Sequence, residues 1–455
     1  MKSSNTLVPS VALALALLCN EVAAAVSPEE AARLGTTLTP VGAEKAGNAD
    51  GSIPAWTGGL PKNAGTVDGK GFLADPFASE KPLFTITAQN VEQYKDKLTP
   101  GQLAMFKRYP DSYRMPVYPS HRSVALPERV LEAIGRNATR TTLVEGGNGL
   151  RDFQSAIPFP MPGNGLEVIW NHITRYRGGS VKRQITQIVP DPGGRYSPVS
   201  YDHQVVFREY LEDYDPGKPS NVLFYHKQTI TSPARLAGNV ELVYETIDQV
   251  KEPRQAWVYN AGQRRVRRAP QVAYDGPSAS SDGQRVTDNY DMYNGAPDRY
   301  DWQLVGKQEL YIPYNAYKLD SPALKYADII RPGHINPDLA RYELHRVWHV
   351  VATLKQGERH IYAKRDFYID EDSWQAAVID HYDGRGTLWR VAEGHPQHYY
   401  DHQAPWYTAE TLNDLVSGRY LVLGLKNEEK SGYQFGVKAY EAEFTPGALR
   451  QSGVR

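Results

Sequence analysis

"YELHRVWHVVATL" (342–354), with "RHIYAKRDFYI" (359–369) and "WQAAVIDHY" (374–382) behind it, decides the fold class. The three runs are rich in Val, Ile, Tyr, Trp and Phe, and only a few polar residues separate them. β-Branched and aromatic side chains suit a pleated, half-buried surface. Gaps this short favour antiparallel neighbours over crossover units. Alternate residues of a strand share a face. In the first run one face carries Tyr342, Leu344, Arg346, Trp348, Val350, Ala352 and Leu354. In the second, the more apolar face carries Ile361, Ala363, Arg365, Phe367 and Ile369.

The same texture reaches back to Leu166. "LEVIWNHITRY" (166–176), "VKRQITQIV" (181–189), "SYDHQVVFREY" (200–210), "NVLFYHKQTI" (221–230), "VELVYETIDQV" (240–250) and "RQAWVYN" (254–260) all read as strands, as does "TLWRVA" (387–392) downstream. Leu242 and Tyr244 share a face, as do Trp257 and Tyr259. The polar stretch "YDGPSASSDGQRV" (274–286) reads as a loop. Residues 36–82 are rich in Gly, Pro, Ala and Asp without a period of 2 or 3.6, and read as a long ordered or wrapping loop. Three short amphipathic helices follow: Thr87 capping "AQNVEQYKDKL", Thr99-Pro100 opening "GQLAMFKRYP", and Pro127 opening "ERVLEAIGRN". No repeat or long linker appears. The expectation is a mainly β, α+β chain. One large, strongly curved antiparallel sheet carries an N-terminal loop and helical segment (26–150) within a single domain, 26–455.

The first 25 residues have the parts of an export signal. Lys2 is the positive end, Val11–Leu18 the apolar run, and Ala23-Ala24-Ala25 the small-residue cleavage site. The single cysteine, Cys19, follows Leu17-Leu18, a poor setting for lipidation. Ser27-Pro28-Glu29-Glu30 then reads as a helix start with a capping box. The sequence therefore predicts a soluble periplasmic protein of 430 residues without a thiol. The 51 basic and 52 acidic residues of the full 455-residue chain nearly balance, so there is no electrostatic case for nucleic acid or an anionic membrane. The 30 Tyr and 8 Trp suit strands, wet cavities and amphiphile-binding surfaces.

Motifs of nucleophilic, zinc-protease and phosphate-loop enzymes are missing. "HPQHYYDH" (395–402) offers His395, His398, Asp401 and His402, but their spacing fits no common metal site, and the stretch reads as an irregular surface segment. His345 and His349 lie on one strand face and read as ordinary sheet residues. Asp370, Glu371 and Asp372 read as a solvated turn. Neither a cofactor nor a metal is expected, and the chain is not expected to be an enzyme.

Four segments resemble one family: "VGAEKAGNADGSIPAWTGG" (41–59), "IPFPMPGNGLEVIWNHITRYRG" (157–178), "AWVYNAGQRRVRRAP" (256–270) and "RVWHVVATLKQGERHIYAKRDFYIDEDSW" (346–374). This is an exported domain-of-unknown-function family of Gram-negative bacteria, often labelled outer membrane lipoprotein-sorting proteins. The resemblance spans nearly the whole mature chain. It implies a LolA/LolB-like fold, an unclosed antiparallel half-barrel wrapped over helices with an apolar cavity between. It also implies a hydrophobic or lipidated ligand, and as partners an RND-type exporter and an outer-membrane β-barrel protein.

On that reading Leu242, Tyr244, Trp257, Tyr259, Tyr342, Leu344, Arg346, Trp348 and Phe367 would line the ligand site. Filled core under the helices is the competing reading of the same stripes. Arg346 would gate the cavity by bonding carbonyls or a carboxylate on the covering helices, or else serve as a structural residue. The leading function is a periplasmic carrier or chaperone for a hydrophobic or lipidated molecule. The alternatives are a structural adaptor in a trans-envelope assembly and, last, a periplasmic lipid or glycan hydrolase.

Overall fold

The computed structural model describes residues 25–269, 272 and 274–453. Apart from Ala25, the export-signal reading, Cys19 included, falls outside them. Just beyond, Ser27 and Glu30 cap each other across α1 (Pro28–Ala31), with Pro28 at the first helical position, as their spacing predicts. The chain then makes β1 (Phe84–Ile86), α2 (Pro100–Arg108), β2 (Met115–Val117), α3 (Glu128–Ala138), the paired β3 (Thr142–Leu143) and β4 (Leu150–Arg151), and α4 (Gly165–Thr174). Thr99 caps α2 through a box with Gln102.

Two antiparallel meanders follow. The first comprises β5 (Ser180–Ile188), β6 (Val199–Phe207), β7 (Val222–Ser232), β8 (Val240–Thr246), β9 (Gln255–Asn260) and β10 (Arg265–Arg268). The second comprises β11 (Tyr300–Pro313), β12 (Tyr342–Leu354), β13 (Lys364–Asp370), β14 (Ala376–Tyr382), β15 (Leu388–Tyr399), β16 (Ala404–Asp414) and β17 (Tyr420–Leu425), with α5 (Tyr326–Ile329) between β11 and β12. β17 joins β5 through Val422 and Ile188, so the meanders form one 16-stranded sheet. Short β18 (Gln434–Phe435) adds to β5, and α6 (Leu449–Gly453) ends the described chain. The sheet runs from β1 to β10 without closing. It is mostly antiparallel, the Tyr342–Val117 contact of β12 with β2 being parallel.

The structure corrects three strand and helix assignments. "LEVIWNHITRY" is not a strand but α4. Asn164 caps it by accepting from the Glu167 N–H, and Glu167 accepts in turn from the Gly163 N–H at 2.6 Å. Its β-branched residues imitate a strand, and nearly every side is buried, so no polar face reveals a helical period. "AQNVEQYKDKL" makes only two 3-10 turns, Val91–Gln93 and Lys95–Lys97. Asn90 accepts from the Thr87 N–H and donates back to the Thr85 carbonyl, replacing the expected cap. His395 and His398 are not on an irregular surface segment but inside β15, both buried. β11, β16 and β17 are strands that the sequence reading did not identify.

The main core packs Val168, Ile169, Trp170 and Ile173 of α4 against Val350, Phe367, Ile379 and Trp374. Full burial of one such aliphatic side chain is worth about 1.5–3 kcal/mol. A second cluster joins Met105 and Phe106 of α2 to Met115, Tyr342 and Leu344. The loop at 274–299 lies against the sheet, tied by Asp288 to Arg365 (2.9 Å) and to His360 (3.0 Å).

Candidate functional site

Residues 39–80 cross the sheet as a strap. Trp374, fully buried, donates its indole N–H to the Val41 carbonyl (3.0 Å) and stacks on Trp348 with centroids 6.0 Å apart. Arg346 donates to the Ala46 carbonyl (3.0 Å) and reaches Glu371 (3.4 Å) and Glu44 (3.6 Å). Its partners are thus a carbonyl and carboxylates on the strap and on the β13–β14 turn, not on the helices. At its far end the strap is held by Tyr400, which donates to the Thr66 and Ala74 carbonyls.

The turn that carries Glu371 is not solvated. Asp370, Glu371 and Asp372 are all buried. Arg122 grips Asp372 with two bonds of 2.8 and 2.7 Å, and Lys307 holds Glu371 at 2.8 Å. Those counter-charges come from residues distant in sequence, which is why the acidic run alone looked exposed.

Gly42 shows how tightly the strap fits. It has φ +91°, and a Cβ there would run into the Pro160 carbonyl. Gly42→Ala is therefore expected to cost about 1–3 kcal/mol, read as a lower urea midpoint, since left-handed backbone and a clash act together. An unchanged midpoint would mean that the strap contributes nothing to stability.

Between the lower strap and the loop after β11 lies an open cleft of about 520 Å³. Phe72, Leu73, Phe77 and Ala78 form one wall, and Tyr118, Tyr317, Pro322 and Ala340 another. Arg341 lines it too, but its charge is committed. It donates to Glu343 at 2.6 Å and to Glu80 at 2.7 Å, and its guanidinium lies over the rings of Phe77 and Tyr118. Glu80 also meets His121 at 2.6 Å, under the stacked Phe77 ring. Burial raises the Asp75 carboxyl above its usual range, and nearby Arg341 offsets only part of this. The cleft therefore presents apolar walls with Arg341 and Glu80 paired, while Lys318, Asp68 and Asp75 line it with no ion-pair partner among the described residues; its volume is typical of small-molecule sites.

The nine residues expected to line a ligand site lie elsewhere. Leu242, Tyr244, Trp257 and Tyr259 belong to a cluster with Ala439, Phe444 and Leu449. Tyr342 and Leu344 pack in the α2 cluster. Phe367 sits in the main core, with Trp348 packed against it. Arg346 is in the strap network. None lines the cleft. Its walls come from irregular backbone, where no periodicity marks an inward-facing residue. The only signal was the aromatic content of the aperiodic strap.

Residues 85–450 match the family described as protein of unknown function (DUF1329). An uncharacterized protein of Pseudomonas aeruginosa, PA3922, is 70% identical over 455 residues, covering all of both chains. Among solved structures, a DUF1329 family protein from Desulfovibrio piger is similar at 16% identity and TM-score 0.41, over 60% of this chain and 92% of that one. The LolA superfamily protein NE2245 from Nitrosomonas europaea is similar at 13% identity and TM-score 0.37, over 62% and 98%.

Proposed function

The chain belongs to the DUF1329 family, and from that premise we propose that it is a periplasmic carrier for a hydrophobic or lipidated molecule. The observation that supports this most directly is the cleft: about 520 Å³, walled by Phe72, Leu73, Phe77, Tyr118 and Tyr317, with the Arg341 charge neutralised inside the protein. Apolar walls beside the charged side chains of Lys318 and Asp68 suit an amphiphile, whose apolar part would take the walls. Each methylene buried there would contribute about 0.8 kcal/mol before ordering costs. An RND-type exporter and an outer-membrane β-barrel are the partners this reading adds on either side.

Native mass spectrometry of protein purified from its own periplasm tests the reading. The expected result is an apolar adduct that is released on extraction and competes with a fatty acyl probe. Ala78 is exposed on the cleft wall. Ala78→Trp is expected to weaken probe binding at least tenfold while leaving the circular dichroism spectrum unchanged. Absence of saturable binding by the wild type, or full binding by a folded Ala78→Trp protein, would overturn the assignment to this cleft.

A further inference from the structure

A second feature of the β13–β14 turn is independent of any cargo. One nitrogen of His345 and one carboxylate oxygen each of Asp370 and Asp372 lie within 4.8 Å of one another, and all three residues are buried. Proximity of acids alone means little, but two further observations concern the ligand atoms themselves.

The first is Asp370, only 2% exposed. Its Oδ2 accepts from Tyr314 (3.2 Å) and from the backbone and hydroxyl of Ser373 (2.9 and 2.6 Å). Its Oδ1 is sealed from solvent and has no hydrogen-bond partner. No lysine or arginine among the described residues pairs with this carboxylate. A bare buried carboxylate oxygen is costly and asks for a positive partner.

The second is the orientation of His345. Its Nε2 meets Glu343 at 3.0 Å, and its ring stacks on Tyr314 with centroids 3.8 Å apart. Glu343 is itself fixed by Arg341, Asn315 and the His121 N–H. A carboxylate on one ring nitrogen sets the tautomer that leaves the other nitrogen as a lone-pair donor, the arrangement usual behind metal-bound histidines. Asp372, gripped by Arg122, keeps free lone pairs on both oxygens.

We propose that His345, Asp370 and Asp372 bind a divalent first-row transition ion of the Zn²⁺ or Mn²⁺ type. One imidazole and two carboxylates suit such ions better than Ca²⁺, which takes six to eight oxygens. The ion would tie β12 to the β13–β14 turn on which the strap rests.

The test uses the purified wild-type protein, stripped with EDTA and titrated with Co²⁺ alone as a spectroscopic probe. The expected result is one equivalent of Co²⁺ with visible ligand-field bands, displaced by one equivalent of Zn²⁺ and not by Ca²⁺. His345→Gln and Asp370→Asn are each expected to weaken binding at least tenfold. His402→Gln, which removes an exposed histidine beside Asp401, should leave it unchanged. If the site variants do not fold, anomalous diffraction from Zn²⁺-soaked wild-type crystals decides the location. An ion at His345, Asp370 and Asp372 supports the proposal. No stoichiometric binding, an ion elsewhere, or full binding by folded His345→Gln and Asp370→Asn proteins overturns it.

Discussion

Arg122→Met is expected to destabilise the protein by about 3–5 kcal/mol, the range for stripping one partner from a buried ion pair. The Arg122 side chain is 2% exposed, and Asp372 and Glu371 are 3% and 2% exposed. Glu371 would keep Lys307 at 2.8 Å and Arg346 at 3.4 Å. Asp372 would lose both its bonds to a cation and have no other basic partner among the described residues. Methionine fills much of the volume, so the loss reports charge more than packing. The measurement is the urea midpoint in EDTA, followed by tryptophan fluorescence. Adding Asp372→Asn to Arg122→Met should recover a large part of the loss, because the uncompensated charge is then gone. A double-mutant cycle isolates that coupling. A loss under about 1 kcal/mol, in the range of exposed pairs, would mean that water reaches the turn and the network is not sealed.

How far the sequence carries depends on whether a residue's partners lie near it in the chain. The sheet was legible because alternation along Tyr342–Leu354 and its neighbours is a local signal. So was the helix start at Ser27, where cap and box lie three residues apart. α4 was not legible, since nine of its ten residues are buried and a helix buried all round has no polar stripe. The acidic turn failed for a related reason. Arg122 lies 250 positions from Asp372, and no local pattern announces it. His395 and His398 looked superficial because Pro396 and the paired tyrosines suggested irregular chain. The observed β15 tolerates Pro396 at a register shift against β16. Burial then pushes His395 down to about 4 and His398 to about 3, so both rings are neutral. The cleft was the least legible part. Its two walls come from aperiodic segments more than 200 residues apart, the strap near Phe77 and the loop near Tyr317.

Asp380→Asn is expected to remove much of the pH dependence of stability between about pH 4 and 7. Asp380, on β14, is fully buried against the first turn of α2. Its oxygens accept from the Gly101 N–H at 2.9 Å and the Thr99 hydroxyl at 3.3 Å. Burial raises its carboxyl to about 7, and Asp366 adds like-charge repulsion; the Gly101 bond opposes this but does not win. In the unfolded chain an aspartate titrates near 3.9. A folded-state pKa above the unfolded one means that the native protein holds a proton the unfolded chain has released. Stability from this group is therefore fully present below about pH 4, falls as pH rises to about 7, and is flat above. At about 1.4 kcal/mol per unit, the loss across that window is at most about 4 kcal/mol. Asparagine keeps an acceptor for the Gly101 N–H and carries no charge. The variant should be more stable than wild type at pH 8 and close to it at about pH 4. Glu410, also raised to about 7 by burial and by Asp291, gives both proteins a shared slope. The quantity to measure is therefore the difference between their urea-midpoint profiles from about pH 4 to 8. Parallel profiles would show that Asp380 is already ionised in the native protein, with the α2 N-terminus stabilising the carboxylate enough to outweigh its burial.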